Sequence, residues 1–182
     1  MACLKSITKY SKQCAKQQGG ASELWLISYS DLKNVDGSLE KYSTDSTGNV
    51  IDEIGLATGK KYVSVGLIKN TLGITEEYAS TPETNSFTIT STLNLYVSGI
   101  TPDGRNFISE LVEAGAVSAL VKLKSGRFVA LGLTGMMDVS AISGTSGVNS
   151  GDGAGYTITL TSDENHFLHL VDPTIITGLI EA

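Results

Sequence analysis

The segment from Phe87 to Val97 constrains the fold of this chain more than any other. Apolar side chains at Phe87, Ile89, Leu93, Leu95 and Val97 fall on one face, and hydroxyl and amide side chains occupy most of the positions between them. Successive side chains of a β-strand point to opposite faces of a sheet, so this two-residue period predicts a half-buried strand. A chain with such a segment must build a sheet that keeps one face in water.

Further runs rich in β-forming residues recur at short spacing, with turn residues between them. Residues 117–123 and 127–133 flank Lys124-Ser125-Gly126, which predicts a β-hairpin. The polar stretch from Glu76 to Asn85 predicts a long exposed loop. The other predicted strands cover residues 23–29, 49–55, 61–68, 135–142, 156–161, 166–171 and 175–180.

One segment predicts a helix instead, at about residues 104–115. Residues 101–106 offer turn and cap chemistry, and Gly115 is a suitable stop. Its apolar residues recur at helical spacing and form the predicted buried stripe: Phe107, Ile108, Leu111 and Val112. Evenly spaced strands with one helix predict a mainly-β fold, a β-sandwich or barrel with one packed α-helix. We expect residues 1–20 to form an N-terminal arm and residues 21–182 to form a single domain.

Composition narrows the class of function. Charged residues make up only 18% of the chain and there are 20 Gly, which fits a hydroxyl-rich surface or a subunit whose faces are covered by neighbours. The net charge of −6 argues against a general affinity for nucleic acid. No apolar stretch has the length of a signal peptide or a membrane span. We therefore expect a chain that is made in a cytosol and does not enter a membrane.

No motif with catalytic or metal-binding chemistry stands out. The Gly-rich segment 144–155 lacks the Lys-Ser/Thr pair and the following helix of a phosphate loop, and Asp152 has no spaced carboxylate companions for calcium. His166 and His169 fall in a predicted strand at a spacing that places them on opposite faces, so they are not expected to share a metal. Cys3 and Cys14 form no metal-binding pattern. We predict no enzyme activity, no catalytic or metal-binding residue and no cofactor.

The second half of the chain resembles a known family. The order is an alternating strand at 87–97, a short helix at 107–114 and a hairpin at 117–133. A Gly-rich loop, the run Gly151-Asp-Gly-Ala-Gly-Tyr-Thr-Ile-Thr-Leu160 and the closing run 171–176 follow. A Cys-containing N-terminal segment and Gly19-Gly20 precede the first strand. This pattern resembles the tail tube and related virion proteins of tailed phages, in particular Bacteroidetes-infecting phages.

The resemblance implies a virion structural protein. Tail tube subunits associate in hexameric rings, and the rings stack into a hollow tube through which DNA passes without specific binding. It also implies other tail proteins as partners, a sheath if the tail is contractile, and a location in the virion tail after assembly in the host cytoplasm. An extended loop and a terminal arm would join successive rings, with these contact candidates: Leu4, Ile7, Tyr10, Leu72, Ile74 and Tyr78.

Two other functions remain open from the sequence. The first is a different virion ring, such as a neck, terminator or baseplate-hub component on the same fold. The second is a glycan-binding β-sandwich module, which would normally expose aromatic side chains on one face. Trp25 is the only Trp and lies inside an apolar run, so we expect it in the core rather than at a glycan site.

Overall fold

The computed structural model describes residues 9–11, 18–81, 83–149 and 151–181, and within them the chain is mainly β, which confirms the predicted fold class. Two helices occur in these residues, α1 (Pro102–Ala114) and α2 (Pro173–Leu179). The strands are β1 (Ala21–Ser28), β2 (Tyr42–Thr44), β3 (Val50–Ile54), β4 (Val63–Val65), β5 (Leu72–Thr81), β6 (Ser86–Ser98), β7 (Ala116–Leu123), β8 (Phe128–Leu131), β9 (Met137–Thr145), β10 (Gly155–Glu164) and β11 (His169–Val171).

Strand β7 is the centre of the sheet. One of its edges pairs with β1, and the other pairs with β8 at residues 119–122 and with β9 at Ala116 and Val117. The sheet therefore divides at β7. One branch runs through β8, β11 and β3 to β2, and the other runs through β9, β10 and β6 to β5. Strand β4 pairs with β1 on the far side of β7.

The central strands β1, β7 and β8 are buried on both faces. Along β7, Val117, Ala119 and Val121 enter one hydrophobic cluster, while Leu120 enters a second cluster on the opposite face. The first cluster packs the central strands against α1 and the branch that contains β5, β6, β9 and β10. The second packs them against β3, β11 and α2, and it contains Trp25, in the core as expected. The fold is thus layered on both sides of its central strands.

Helix α1 begins and ends as its sequence predicts. The Thr101 hydroxyl accepts a hydrogen bond from the Gly104 N–H at 3.1 Å, and Gly115 follows the last turn with a φ of 69°. Phe107 and Ile108 pack against the first cluster. Leu111 is only 5% exposed, whereas Val112 is 54% exposed. The prediction that Val112 belongs to the buried stripe is wrong, because it lies about 100° around the helix from Leu111 and a helix on a sheet buries one side.

Helix α2 replaces the strand predicted at residues 175–180. Asp172 caps it by accepting the Thr174 N–H at 2.8 Å, and Pro173 occupies the first helical position. Both residues favour a helix start. Pro has a φ suited to a helix, and it lacks the N–H group that would have no partner at this position. Ile176 and Leu179, three residues apart, are the buried positions of this helix.

Strand β5 replaces most of the predicted exposed loop. It pairs with β6 from Leu72 opposite Leu95 to Thr81 opposite Ser86, so the segment is one arm of a long hairpin. Leu72 is buried in the first cluster and Ile74 packs against that cluster. Leu72 was predicted to contact a neighbouring subunit, and that prediction is wrong because its own core covers it. Pairing with β6 sets this strand, which local propensity alone does not indicate.

The predicted N-terminal arm is described only in part. Residues 9–11 and 18–20 have no regular secondary structure, and Tyr10 is exposed. Leu4 and Ile7 lie outside the described residues, as do Cys3 and Cys14. The contacts predicted for Leu4, Ile7 and Tyr10 stay predictions. Strand β1 begins at Ala21, the first residue of the predicted domain.

Candidate functional site

The branch β9–β10–β6–β5 is a four-stranded antiparallel sheet with two open outer edges. Within the described part of the chain, β5 pairs only with β6, and β9 pairs with β7 only at Met137 and Asp138 before it continues to Thr145. Strands β5 and β9 have 10 and 9 residues and lie on opposite sides of this sheet. The edge strands β2 and β4 have only 3 residues each. Long open edges can pair with strands of another chain.

The solvent face of this four-stranded sheet carries hydroxyl, amide and carboxylate groups. Thr90 donates a hydrogen bond to Asp163 at 2.9 Å, and Thr159 donates one to Asn94 at 2.8 Å. None of the four strands contains Lys or Arg. The strand register places these further side chains on the same face: Thr75, Glu77, Thr88, Thr92, Asp138, Ser143, Thr157 and Thr161. The face is therefore polar and carries only negative formal charges.

His166 and His169 lie together, with ring centroids 4.1 Å apart. The prediction that they occupy opposite faces is wrong, because β10 ends at Glu164 and the chain bends at Asn165 and His166 before β11 begins. The Tyr42 ring packs beside both of them, 5.9 Å and 5.5 Å away between centroids. Burial, followed by the nearby His166, lowers the pKa of His169 below its ordinary value.

Hydrogen bonds engage both ring nitrogens of His166. Nδ1 lies 3.0 Å from the Phe167 carbonyl, and Nε2 lies 2.8 Å from the Tyr42 hydroxyl. A carbonyl can only accept, so Nδ1 donates, and Nε2 is engaged by the hydroxyl groups of Tyr42 and Thr134, the latter at 3.1 Å. Neither nitrogen is then available to bind a metal ion. Across the described ranges, no group of three or more His, Cys, Asp or Glu residues is arranged to hold one.

The buried carboxylate of Glu164 organises the loop between β8 and β9. It accepts hydrogen bonds from the backbone N–H groups of Gly132 and Gly135, at 2.9 Å and 3.0 Å, and from the Thr134 hydroxyl. A Cβ atom at Gly135 would lie 2.1 Å from the Asp163 carbonyl oxygen, so the loop backbone packs directly on β10. These bonds occupy Glu164 in holding the loop, which indicates a structural role.

The Gly-rich loop between β9 and β10 is held in a similar way by Asp152. Its carboxylate accepts the N–H groups of Val148 and Asn149, each at 2.8 Å, and these bonds lower the pKa of Asp152. The carboxylate therefore binds its own loop, as an ordinary turn does.

Three exposed aromatic rings meet beside the histidine pair. Tyr78, Phe87 and Phe167 are 57%, 52% and 56% exposed. The Tyr78 ring stacks on Phe87 with centroids 6.1 Å apart and an interplanar angle of 27°, and it lies 6.3 Å and 32° from Phe167. We call these three side chains the aromatic platform. It forms part of a cleft of about 510 Å³ that Asn49, Asn165, His166 and His169 also line.

Those predicted contact residues that the structure describes do not form one site. Ile74 packs against the core, Tyr10 lies on the arm, and Tyr78 joins the aromatic platform on the outer part of the β5–β6 hairpin. Sequence reasoning missed Phe167, although the turn-forming residues Asp163 and Asn165 before it were a signal that the strand could bend there.

Comparisons with family models, with curated proteins and with solved structures find no match to this chain. Among the helices that the structure describes, none combines the length and the apolar character needed to span a membrane.

Proposed function

We propose that this chain is a virion structural protein, a tail tube subunit that forms stacked rings around a channel for DNA. The observation that carries the proposal is the pair of long open edges on opposite sides of one four-stranded sheet. Edge β5 of one copy can pair with edge β9 of the next, and this contact joins two different surfaces. Such heterologous contacts close into a ring when the rotation between copies allows it.

Strand direction supports this pairing. The four strands alternate in direction, so β9 and β5 run in opposite senses. Rotation about a ring axis keeps each sheet in the same orientation, and β5 therefore meets the neighbour's β9 antiparallel. The ladder continues from copy to copy without a break. A closed ring of sheets removes the exposed edges that would otherwise promote uncontrolled aggregation.

The positions of the two open edges along the strand direction also suit a closed barrel. Thr75, Thr92, Thr161 and Asp138 share one rung of the sheet, and from that rung the open parts of β5 and β9 extend in opposite directions. Pairing these open parts requires a stagger between copies. Closing any sheet into a barrel requires such a stagger, which tilts the strands against the barrel axis.

The charge of the solvent face supports a channel for DNA. In such a ring this face would line the lumen, with its hydroxyl groups and the carboxylates of Glu77, Asp138 and Asp163. DNA binding depends largely on Lys and Arg neutralising phosphates. A wall without cations would hold no phosphate, so DNA could move along it.

The finer points of the proposal come from the family resemblance. These are the hexamer, the stacking of rings through the N-terminal arm and hairpin, the other tail proteins as partners and the place in the virion tail. A neck, terminator or baseplate-hub ring would use the same edge pairing and would stop at one ring. We assign the chain a structural role with no catalytic step and no cofactor.

Disulfide cross-linking tests the edge pairing. In a chain with Cys3→Ser and Cys14→Ser, Ser143→Cys on β9 is combined in turn with Glu77→Cys and Ala79→Cys on β5. Two strands separate β5 from β9 in the same copy, a distance of about 14 Å, whereas a disulfide needs Cα atoms within about 7 Å. Any bond formed therefore joins two copies. We expect oxidation to give a ladder of covalent oligomers on a non-reducing gel that ends at six copies.

The single-cysteine variants are the control, since each can give dimers at most. Electron microscopy of the same samples shows whether rings or tubes are present. Rings in the micrographs without covalent oligomers on the gel would mean that assembly uses another surface. A chain that remains monomeric at high concentration in native mass spectrometry would contradict the proposal as a whole.

A further inference from the structure

The aromatic platform takes no part in the edge pairing between β5 and β9 that the proposed ring uses. Tyr78 and Phe87 lie on the same side of the hairpin as the core residue Ile89, whereas the solvent face of the sheet lies on the other side. The platform therefore faces away from the proposed lumen. Exposed apolar groups this close together are uncommon on a soluble protein and usually mark a binding surface.

The rings of the platform leave part of their aromatic surface open to a ligand. The angles of 27° and 32° between neighbouring rings are small, so the ring planes run roughly parallel and do not close into a cage. Such a surface suits a ligand with a flat apolar face. About half of each side chain remains accessible, which leaves room for stacking without rearrangement of the fold.

The polar groups around the platform define the ligand further. Among the described residues that line the cleft there is no Lys, Arg, Asp or Glu, and its polar side chains are the amides of Asn49 and Asn165 and the imidazoles of His166 and His169. A phosphate or nucleotide ligand would need cations, and an ammonium ligand would gain from a carboxylate. Neutral amides such as those of Asn49 and Asn165 instead exchange hydrogen bonds with neutral hydroxyl groups.

We propose that this cleft binds a neutral saccharide, whose C–H face stacks on the aromatic platform while its hydroxyl groups bond to the amide side chains. A sugar ring has an apolar face and a rim of neutral hydroxyls, which is the chemistry that this cleft complements. This inference goes beyond the proposed function, since it concerns ligand binding by a cleft that takes no part in the edge pairing. It does not depend on whether the rings form.

Titration with defined oligosaccharides tests the proposal. Cellohexaose, chitohexaose and mannohexaose are added to the full chain, and binding is followed by saturation-transfer NMR and calorimetry. We expect at least one of them to bind and to show transfer to its ring protons. Phe87→Ala and Phe167→Ala should each weaken that binding about tenfold, the loss of one good aromatic contact. Tyr10→Ala, which removes an exposed aromatic ring outside the cleft, should leave binding unchanged.

The remaining outcomes separate the proposal from its rivals. Thermal melts check that each variant is folded, and Phe87→Leu keeps an apolar side chain while it removes the ring. Absence of binding by all three hexasaccharides, or binding that Phe87→Ala and Phe167→Ala leave intact, overturns the proposal. If these two variants instead abolish self-association in sedimentation experiments, the platform is an interface between copies and the proposal is wrong. Failure of the cross-linking experiment leaves this test unaffected.

Discussion

At the scale of single residues, a buried pair of hydroxyl groups lies on the side of the central strands that carries the second cluster. The Tyr62 hydroxyl lies 3.1 Å from Ser118 Oγ, which donates to the Leu131 carbonyl at 2.9 Å. Because Ser118 gives its proton to Leu131, Tyr62 is the donor to Ser118. Both residues are fully buried, and burial raises the pKa of Tyr62 to about 12.

The two partners should not contribute equally to stability. Tyr62→Phe removes the donor and leaves Ser118 bonded to Leu131, so it should cost about 1 kcal/mol. Ser118→Ala leaves the Tyr62 hydroxyl buried without an acceptor and should cost about 1–3 kcal/mol. Urea denaturation of both variants measures the difference. A larger loss for Tyr62→Phe would contradict this assignment of donor and acceptor.

His169 predicts a specific dependence of stability on pH. Its pKa is lower in the folded chain than its ordinary value of 6.5, so the unfolded chain binds a proton at a pH where the folded chain does not. The free energy of unfolding should therefore fall as the pH drops below about 6.5. The fall should end once the pH is below the pKa of His169 in the folded chain. Asp45 and Asp172, whose lowered pKa values reflect hydrogen bonds, lose their contribution only at more acidic pH.

Urea denaturation of the unmodified chain and of His169→Gln between about pH 7 and about pH 5 isolates this contribution. The decrease should be smaller for the variant, which has no group to protonate at that position. Equal decreases in the two proteins would show that another group causes the loss.

At the scale of elements, helix α1 offers a matched pair of substitutions. Leu111→Asp places a charge in the first cluster and should cost about 3 kcal/mol or more. Val112→Asp makes the same change one residue later, on the exposed side, and should stay within about 1 kcal/mol. Thermal melts compare the two, and similar melting temperatures would mean that the helix is turned differently on the sheet.

Elements with a strong local pattern could be predicted from the sequence. Strand β6 has a two-residue period, α1 has a cap at Thr101 and a stop at Gly115, and the β7–β8 hairpin has a Gly-containing turn. Each of these patterns depends on interactions between residues that are close in sequence. Their bounds differ from the predicted ones by a few residues because tertiary pairing decides where an element stops.

Elements that depend on distant partners could not be predicted in the same way. Strand β5 is polar along most of its length and is held by β6, and the bend at Asn165 brings His166 onto His169. The short helix α2 was missed for another reason, since Asp172 and Pro173 did signal a helix start that the apolar run after them obscured. The candidate site could not be predicted either, because an open edge depends on the order of the strands in the sheet and not on the sequence of any one segment.

At the scale of the whole molecule, the distribution of charge separates two parts of the chain. All Lys and Arg residues lie outside β5, β6, β9 and β10. The net charge of −6 is a sum over the whole chain. It does not show that the solvent face of the four-stranded sheet has no Lys or Arg. If this face lines a channel, its charge should control whether DNA is held there.

Lysine substitutions on this face test that idea. Thr92→Lys combined with Thr157→Lys adds two cations per copy to the solvent face, and Thr92→Gln with Thr157→Gln adds similar length without charge. Assembled rings of the unmodified chain and of the glutamine variant should not retain duplex DNA in a filter-binding assay. The lysine variant should retain it, and retention should fall steeply as salt rises because bound cations release counterions from DNA.

A lysine elsewhere controls for charge alone. Thr177→Lys on α2 adds a cation at an exposed position outside the four-stranded sheet, and it should have little effect on DNA retention. Confinement matters here, since a ring brings the lysines of every copy around one DNA molecule, whereas outward-facing lysines act separately. If unmodified rings already hold DNA at moderate salt, or if Thr177→Lys works as well as the lumen pair, then the solvent face does not line a DNA channel.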